Sequence, residues 1–128
     1  MITRTIFIVE DEKDHLELLK LVLEQNRFSV LSTSSGDKAV PLITQMTPDL
    51  VILDVMLPGL NGFEICKALR ANPATAALPV IILTARSARA DVEAGTQAGA
   101  NLYVKKPFDA DALITQIRSL LSATSQPV

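Results

Sequence analysis

The chain has 128 residues and a net charge of −2 at pH 7, so no overall charge attracts it to nucleic acid or to an anionic membrane. Its composition, 48% hydrophobic and 20% charged, is sufficient to build the core of one domain. A single cysteine excludes an intrachain disulfide and a thiolate metal cage. With no signal peptide and no apolar run near the roughly 18 residues of a membrane span, we expect a cytoplasmic protein without direct nucleic-acid or membrane contacts.

Strand-like and helix-like segments alternate along the whole chain, which is the pattern of repeated β-α-β units. Short apolar runs predict five strands, near residues 6–9, 28–31, 50–53, 80–83 and 102–104. Apart from the second, these runs are rich in β-branched and aliphatic residues, as is typical of strands buried on both faces of a parallel sheet. The sequence therefore predicts an α/β fold with helices on both faces of the sheet.

The first three helices are predicted from periodicity and capping residues. Over residues 13–25, leucines recur at helical spacing while charged residues face outward. Ser35 is expected to cap a second helix that runs to about Met46, and Pro41 is expected to kink or shorten it. A third helix is predicted over residues 63–71, after two turn signals.

The remaining helices follow the fourth and fifth strands. Residues 88–98 are Ala-rich and weakly amphipathic, and Gly99 is expected to close this least regular helix. The last helix is predicted from near Asp109, with one apolar face for core packing. We place a single domain at residues 1–123 and a frayed polar tail at residues 124–128.

Polar side chains follow four of the apolar runs. Glu10 and Asp11 follow the first run, and Asp54 follows the third. Thr84 ends the fourth run, and Lys106 follows the fifth. Ligands of open α/β sheets bind beyond the carboxyl ends of the strands, so these side chains are expected to converge at one site.

The three acids suggest a magnesium site and a nucleophile. Mg²⁺ prefers oxygen ligands, and one or two carboxylates with a phosphate oxygen are sufficient, so Glu10, Asp11 and Asp54 could hold it. The alternative for Glu10 and Asp11 is an exposed acidic turn before the first helix, where acids suit the helix dipole. Asp54 ends a buried strand, where an acid seldom serves packing, and it is the candidate nucleophile for an aspartyl phosphate.

Thr84 and Lys106 would stabilise charge on a transferred phosphoryl group through a hydroxyl and a fixed cation. Taken alone, Thr84 is an ordinary strand former and Lys106 is an ordinary solvated charge beside Lys105. The combination of acids, hydroxyl and ammonium at strand ends favours Mg²⁺-dependent phosphoryl transfer onto Asp54 over these separate explanations.

Four stretches of the sequence are similar to one known family. They are IFIVEDE at residues 6–12, DVMLPGLNGFE at 54–64, ILTA at 82–85 and GANLYVKKPF at 99–108. In this order, with the strand and helix patterns between them, they make residues 3–121 resemble the receiver domain of two-component response regulators of the chemotaxis-regulator type. The resemblance implies a flavodoxin-like, doubly wound sheet of five parallel strands in the order 2-1-3-4-5, with five helices.

The resemblance also implies roles for the residues of the metal and acceptor site. Asp54 matches the family's phosphoacceptor. Glu10 and Asp11 match its metal-binding acidic pair, which would bind Mg²⁺ with Asp54 and the backbone carbonyl of Met56. Lys106 matches the family's lysine.

A second group of residues matches the family's phosphoryl-responsive switch. Thr84 matches the hydroxyl that moves toward the phosphoryl group, and Tyr103 matches the aromatic residue whose ring then turns inward. The alternative for Tyr103 is a half-buried strand residue with its hydroxyl in water. The backbone at Met56 and Ala85 would bind the phosphoryl group.

A few positions depart from the family pattern or stay open. Glu10 stands where aspartate is common, and the apolar side chains of Met56 and Ala85 leave the dephosphorylation rate open. His15, the only histidine, is predicted to lie on a solvated helix surface rather than to act as a phosphohistidine. Proline lowers the penalty for a cis peptide at Lys106-Pro107, but the sequence does not determine that bond.

The resemblance implies a phosphorylation-dependent signalling switch. A sensor histidine kinase or a histidine phosphotransfer protein would supply the phosphoryl group to Asp54, and the modified surface would bind a downstream output protein or domain. The chain would assist its own phosphorylation and dephosphorylation without being an enzyme that turns over a metabolite. It is expected to be a monomer or a phosphorylation-dependent dimer.

Three alternatives belong to other classes. A receiver-like interaction module that works without phosphate would be expected to lack one of the key residues, and none is missing. A phosphohydrolase of the haloacid dehalogenase type would need a second acid two residues after the nucleophile, where Met56 stands, and room for a substrate cap. A nucleotide-binding flavodoxin relative would need a Gly-rich phosphate loop after the first strand.

Overall fold

The computed structural model describes residues 3–125, with side chains as far as residue 123. Within that range, five strands alternate with five helices. In chain order the elements are β1 Thr5–Val9, α1 Lys13–Gln25, β2 Ser29–Thr33, α2 Gly36–Met46, β3 Leu50–Leu53, α3 Gly62–Ala71, β4 Val80–Thr84, α4 Arg89–Ala98, β5 Leu102–Lys105 and α5 Ala110–Ser125.

The five strands form one parallel sheet in the order β2-β1-β3-β4-β5. The predicted doubly wound α/β fold and its strand order are therefore confirmed. Because the order reverses at β1, whose neighbours are β2 and β3, the carboxyl ends of β1 and β3 flank the crevice where ligands of such sheets bind.

Two apolar cores lie on opposite faces of the sheet, because alternate residues of a strand point in opposite directions. In β1, Ile6 and Ile8 pack with buried residues of α1 and α5, whereas Phe7 and Val9 pack with those of α2 and α3. All residues of β3 and β4 are buried. The strand ends that would hold the site are therefore fixed from both faces.

Most predicted elements agree with the structure to within two residues, and α1 and β3 have the predicted bounds. Ser35 occupies the N-cap position of α2, but its side chain makes no capping hydrogen bond. Pro41 lies inside α2 and does not shorten it, since the helix still reaches Met46. Pro41 and Asp37 are both exposed, so water can bond the Asp37 carbonyl that loses its helical partner.

The last helix extends beyond its expected end. Because α5 continues to Ser125, the helix includes the first two residues of the frayed tail placed at residues 124–128, and that tail stays a prediction. No proline or glycine stands between Ala110 and Ser125 to stop the helix, and Pro127 is the next helix breaker in the sequence. Residues 126–128 of that prediction lie outside the described residues. No helix of the described part of the chain combines the length and apolar character needed to cross a bilayer.

Candidate phosphoacceptor site

A cleft of about 490 Å³ opens at the carboxyl ends of the sheet. Every residue assigned by sequence to the metal and phosphoryl site lines it, and the structure adds two others. The lining comprises Glu10, Asp11, Glu12, His15, Asp54, Met56, Thr84, Ala85 and Lys106. The expected convergence of polar residues from β1, β3, β4 and β5 is therefore observed, with Tyr103 outside the cleft lining.

The hydrogen-bond ladder of the sheet continues into the residues that follow the strands. The backbone N–H of Asp54 donates to the carbonyl of Val9 at 3.0 Å. The backbone N–H of Lys106 donates to the carbonyl of Thr84 at 2.8 Å. These bonds fix the acid and the lysine against neighbouring strands, so their positions depend on the sheet rather than on a loop.

The Lys106 ammonium lies between two nearly buried carboxylates. Its Nζ donates to Asp54 Oδ2 at 2.8 Å and also to Glu10 Oε1. Only 5% of Glu10 and 8% of Asp54 is exposed, and the Lys106 side chain is 12% exposed. Burial of charges is costly unless they are paired, so the lysine compensates the two acids in this cleft.

The three groups shift one another's pKa values. Burial raises the pKa of Glu10, and the negative charge of Asp54 raises it further, so the bond from Lys106 does not restore it. Burial also opposes ionisation of Asp54, but the bonds from Lys106 and from the Met56 N–H outweigh it and lower the pKa. Burial opposes the charge of Lys106, but its bonds to Asp54 and Glu10 prevail and raise the pKa. Asp54 is therefore ionised at neutral pH, as a nucleophile must be.

Met56 holds the second oxygen of the acceptor. Its backbone N–H donates to Asp54 Oδ1 at 3.1 Å, while Lys106 contacts Oδ2. The carboxylate is thus oriented from both sides. The Met56 side chain itself is 62% exposed, so it leaves the mouth of the cleft open to solvent.

The chemistry of the donor set fits Mg²⁺. Glu10, Asp11 and Asp54 present carboxylate oxygens to one cleft, which the Met56 residue also lines. Among the residues described, no three His, Cys, Asp or Glu side chains are grouped so that they could hold a metal ion. Mg²⁺ needs only one or two carboxylates, because carbonyl, water and phosphate oxygens complete its shell. The magnesium site stays a prediction that this donor set supports.

Thr84 and Tyr103 lie on either side of a short segment that leaves β4. Thr84 is buried, and its Oγ1 accepts from the N–H of Arg86 at 3.3 Å. The hydroxyl of Tyr103 donates to the carbonyl of the same Arg86 at 2.6 Å. Arg86 also forms an ion pair with Asp91 of α4 at 2.7 Å. Tyr103 is half-buried in β5, as the alternative considered from sequence expected, and its hydroxyl is bonded to the backbone of the segment after β4.

His15 is the site residue that the sequence did not reveal. As predicted, it lies exposed on the surface of α1, with 44% of its side chain accessible, and its Nδ1 also lies 3.0 Å from Lys106 Nζ and 3.2 Å from Glu12 Oε2. A side chain in the first turn of a helix tilts toward the helix N-terminus, and α1 begins next to the acidic cleft. The position of His15 in the first turn was therefore the sequence feature that could have placed it at the cleft. The Lys106-Pro107 peptide bond, which the sequence left open, is cis.

Comparisons with known proteins identify the family of this chain. A family model of the response regulator receiver domain matches residues 6–118. The DNA-binding response regulator MtrA of Mycolicibacterium smegmatis is 37% identical over 116 residues, which are 91% of this chain and 50% of that protein. The chain thus spans about half the length of the curated relatives it matches.

Solved structures with the same fold include receiver domains of histidine kinases. The signal receiver domain of a signal transduction histidine kinase from Syntrophus aciditrophicus is 32% identical, with a TM-score of 0.91 over 98% of this chain and 96% of that one. The receiver domain of a sensor histidine kinase from Pseudomonas aeruginosa is 27% identical, with a TM-score of 0.88 over 94% and 99% of the two chains. That second structure has a magnesium ion coordinated in its active-site cleft.

Proposed function

The chain belongs to the response regulator receiver domain family of two-component systems, and from this premise we propose that it accepts a phosphoryl group on Asp54. The observation that carries the proposal is the geometry of Asp54. Its carboxylate is ionised, oriented by the Met56 N–H and Lys106, and placed in an open cleft. An oriented carboxylate of this kind is suited to nucleophilic attack on phosphorus.

The phosphoryl donor is a phosphohistidine of a sensor histidine kinase or of a histidine phosphotransfer protein. An Asp54 oxygen forms a bond to phosphorus while the bond between phosphorus and the imidazole nitrogen breaks, and the imidazole leaves with the bonding electron pair. Lys106 neutralises charge on the transferred group. The chain consumes no metabolite in this reaction, so its role is signalling rather than metabolic catalysis.

Mg²⁺ is the cofactor that the donor set fits. Asp11, Asp54 and the Met56 carbonyl would hold it, with Glu10 as a direct or water-mediated contact. When bound, the ion supplies positive charge that offsets the carboxylates and the phosphoryl oxygens. The magnesium-containing cleft of the Pseudomonas aeruginosa receiver domain supports this assignment.

The response to phosphorylation passes through Thr84 and Tyr103. Thr84 turns toward the phosphoryl group, whose oxygens are also bound by the backbone N–H groups of Met56 and Ala85. Movement of Thr84 alters the segment that carries Arg86, and the Tyr103 hydroxyl is bonded to the Arg86 carbonyl. The change therefore reaches the surface of α4 and β5, where an output protein or domain binds.

The relatives indicate the general kind of output partner. The curated relatives include DNA-binding regulators, and the solved neighbours include receiver domains of histidine kinases. We propose that an output partner, on the same chain or another, reads the phosphorylated state in the cytoplasm. Contact with DNA would belong to that partner, because the chain carries a net charge of −2.

The test is the intact mass of the protein after incubation with Mg²⁺ and acetyl phosphate. We expect the parent and an Asp111→Asn control, altered on the exposed surface of α5, to gain one phosphoryl group. An Asp54→Asn variant should gain none. If the folded parent gains nothing, the proposal fails in favour of a phosphate-independent interaction module. A gain in the Asp54→Asn variant would place the acceptor elsewhere.

A further inference from the structure

We propose that His15 is a positioning residue for Lys106 and that its Nδ1 accepts the third hydrogen bond of the lysine ammonium. A lysine ammonium has three N–H groups and no acceptor. Two of them are directed to Asp54 Oδ2 and Glu10 Oε1, and His15 Nδ1 lies 3.0 Å from the same Nζ.

The chemistry of this contact determines the form of the histidine. Because the ammonium can only donate, the contact is a hydrogen bond only when Nδ1 of a neutral imidazole is unprotonated. The ring proton is then on Nε2. The alternative partner of Nδ1 is Glu12 Oε2 at 3.2 Å, which would require a proton on Nδ1. One nitrogen of a neutral ring cannot serve both partners.

Burial favours Lys106 over Glu12 as the hydrogen-bond partner of His15 Nδ1. The Lys106 side chain is 12% exposed, whereas the Glu12 side chain is 59% exposed. Water can satisfy an exposed carboxylate, but a buried ammonium proton without an acceptor loses its hydration without replacement. The tautomer with an unprotonated Nδ1 is therefore favoured, because it leaves no buried N–H of Lys106 without an acceptor.

The position of His15 explains why it can hold the lysine while the site reacts. It lies in the first turn of α1, 3.0 Å from Lys106 Nζ, whereas Asp54 follows β3 and contacts the same Nζ at 2.8 Å. When Asp54 receives a phosphoryl group, Lys106 can turn one N–H from the carboxylate to a phosphoryl oxygen while Glu10 and His15 keep the other two. This consequence rests on the proposed function, whereas the hydrogen bond itself does not.

The first experiment observes the tautomer directly in the untagged, ¹⁵N-labelled protein by long-range ¹H–¹⁵N NMR at neutral pH. His15 is the only histidine, so both ring-nitrogen signals belong to it. We expect an unprotonated Nδ1 and a protonated Nε2, with a slowly exchanging Lys106 ammonium signal. A protonated Nδ1 would overturn the proposal, because that nitrogen would then be donating to Glu12 or to another acceptor.

The second experiment measures the rate constant of phosphorylation by acetyl phosphate with saturating Mg²⁺. His15→Leu removes the acceptor, and we expect a loss of about fivefold to tenfold, the size of one typical hydrogen bond. His15→Asn keeps an acceptor oxygen at the position of Nδ1 and should restore the rate to within about twofold of the parent. Lys20→Leu, an equivalent change on the exposed face of α1, should have no effect.

The outcomes separate positioning from a general structural role. If His15→Leu reacts as fast as the parent, or if His15→Asn is as slow as His15→Leu, the proposal is wrong. Urea unfolding should show that both His15 variants are fully folded under the assay conditions, so that a difference in rate does not reflect unfolding. If the parent itself accepts no phosphoryl group, the proposed function fails, and the NMR result alone then decides whether His15 holds Lys106.

Discussion

The helices α3 and α4 pack against each other and have ten residues each, but they are held in place differently. At the start of α3, Asn61 and Glu64 form a reciprocal capping box, and four of the helix residues are buried. At the start of α4, Ala88 provides no side-chain cap, and only Gly95 and Ala98 are buried. One helix is anchored beside the acceptor strand, and the other is weakly anchored beside the predicted switch.

One glycine in each helix shows the same difference between α3 and α4. A Cβ at Gly62 in α3 would come within 2.3 Å of the backbone oxygen of Asp54. A Cβ at Gly95 in α4 would come within 2.7 Å of the ring of Tyr103. Backbone cannot move away cheaply, but a side chain can change its rotamer. We therefore expect the acceptor end of the site to be more rigid than the switch end.

The largest expected effect is on the core beneath the anchored helix. Leu69 of α3 is fully buried, so Leu69→Ala should lower the free energy of unfolding by about 2–5 kcal/mol through lost transfer energy and a cavity. Val92 of α4 is 38% exposed, so Val92→Ala should cost about 0.5 kcal/mol. Urea unfolding of both variants measures the comparison. Equal losses would mean that α4 is as firmly packed as α3.

The two glycines provide the next largest contrast. Gly62→Ala should lower the free energy of unfolding by about 1–3 kcal/mol, because the added methyl group overlaps immovable backbone. In Gly95→Ala the cost of displacing the Tyr103 ring is offset by the higher helix propensity of alanine. The net change in the free energy of unfolding should therefore stay within about 1 kcal/mol of zero. The same urea titrations test this. A large loss in Gly95→Ala would contradict a movable Tyr103.

The caps of the two helices predict opposite changes of smaller size. Asn61→Ala removes the capping box of α3 and should cost about 1 kcal/mol. Ala88→Ser introduces a capping side chain at an extended position of α4 and should stabilise the protein by about 0.5–1 kcal/mol. Thermal unfolding followed by circular dichroism measures both. No gain in Ala88→Ser would show that the start of α4 is already satisfied.

The smallest effect is a shift in the titration of Tyr103. Burial and the negative charge of Asp91 raise the pKa of this phenol, while Arg86 opposes the shift. Because the folded-state pKa is raised, the contribution of Tyr103 to stability is complete below its unfolded pKa of about 10 and is lost as the pH rises through the folded value. Tyr103 is the only tyrosine, and there is no tryptophan, so absorbance near 295 nm reports its ionisation alone.

Displacement of the ring should change that titration. In Gly95→Ala, Tyr103 becomes more exposed, and its pKa should fall toward the ordinary value. The Ala88→Ser variant, which leaves the ring in place, is the matched control and should titrate like the parent. A Tyr103 pKa that is unchanged in Gly95→Ala would show that the ring does not leave its position beside α4.

The strands and the acceptor residues could be predicted because their signals are local or follow from topology. The run at residues 50–53 is apolar throughout, and it became a strand with those bounds. Parallel strands end at one edge of the sheet, so Asp54, Thr84 and Lys106 had to meet once the order of strands was predicted.

The features that sequence did not reveal depend on side-chain direction and long-range contacts. His15 reaches Lys106 across 91 residues of sequence, and the Tyr103 hydroxyl bonds a carbonyl 17 residues away. Helical periodicity says which side of α1 faces the core, but it does not say that the first turn meets the β5–α5 loop. The side chain of Ser35 likewise makes no capping hydrogen bond, although its backbone position at the N-cap was predicted correctly.

The most direct test of the account is amide hydrogen exchange of α3 and α4 before and after treatment with acetyl phosphate and Mg²⁺, with Asp54→Asn treated identically. The account predicts altered exchange at residues 85–98 and in β5 of the phosphorylated parent, unchanged exchange in α3, and no response in Asp54→Asn. Complete phosphorylation without any change at α4, or with the same change in α3, would contradict it.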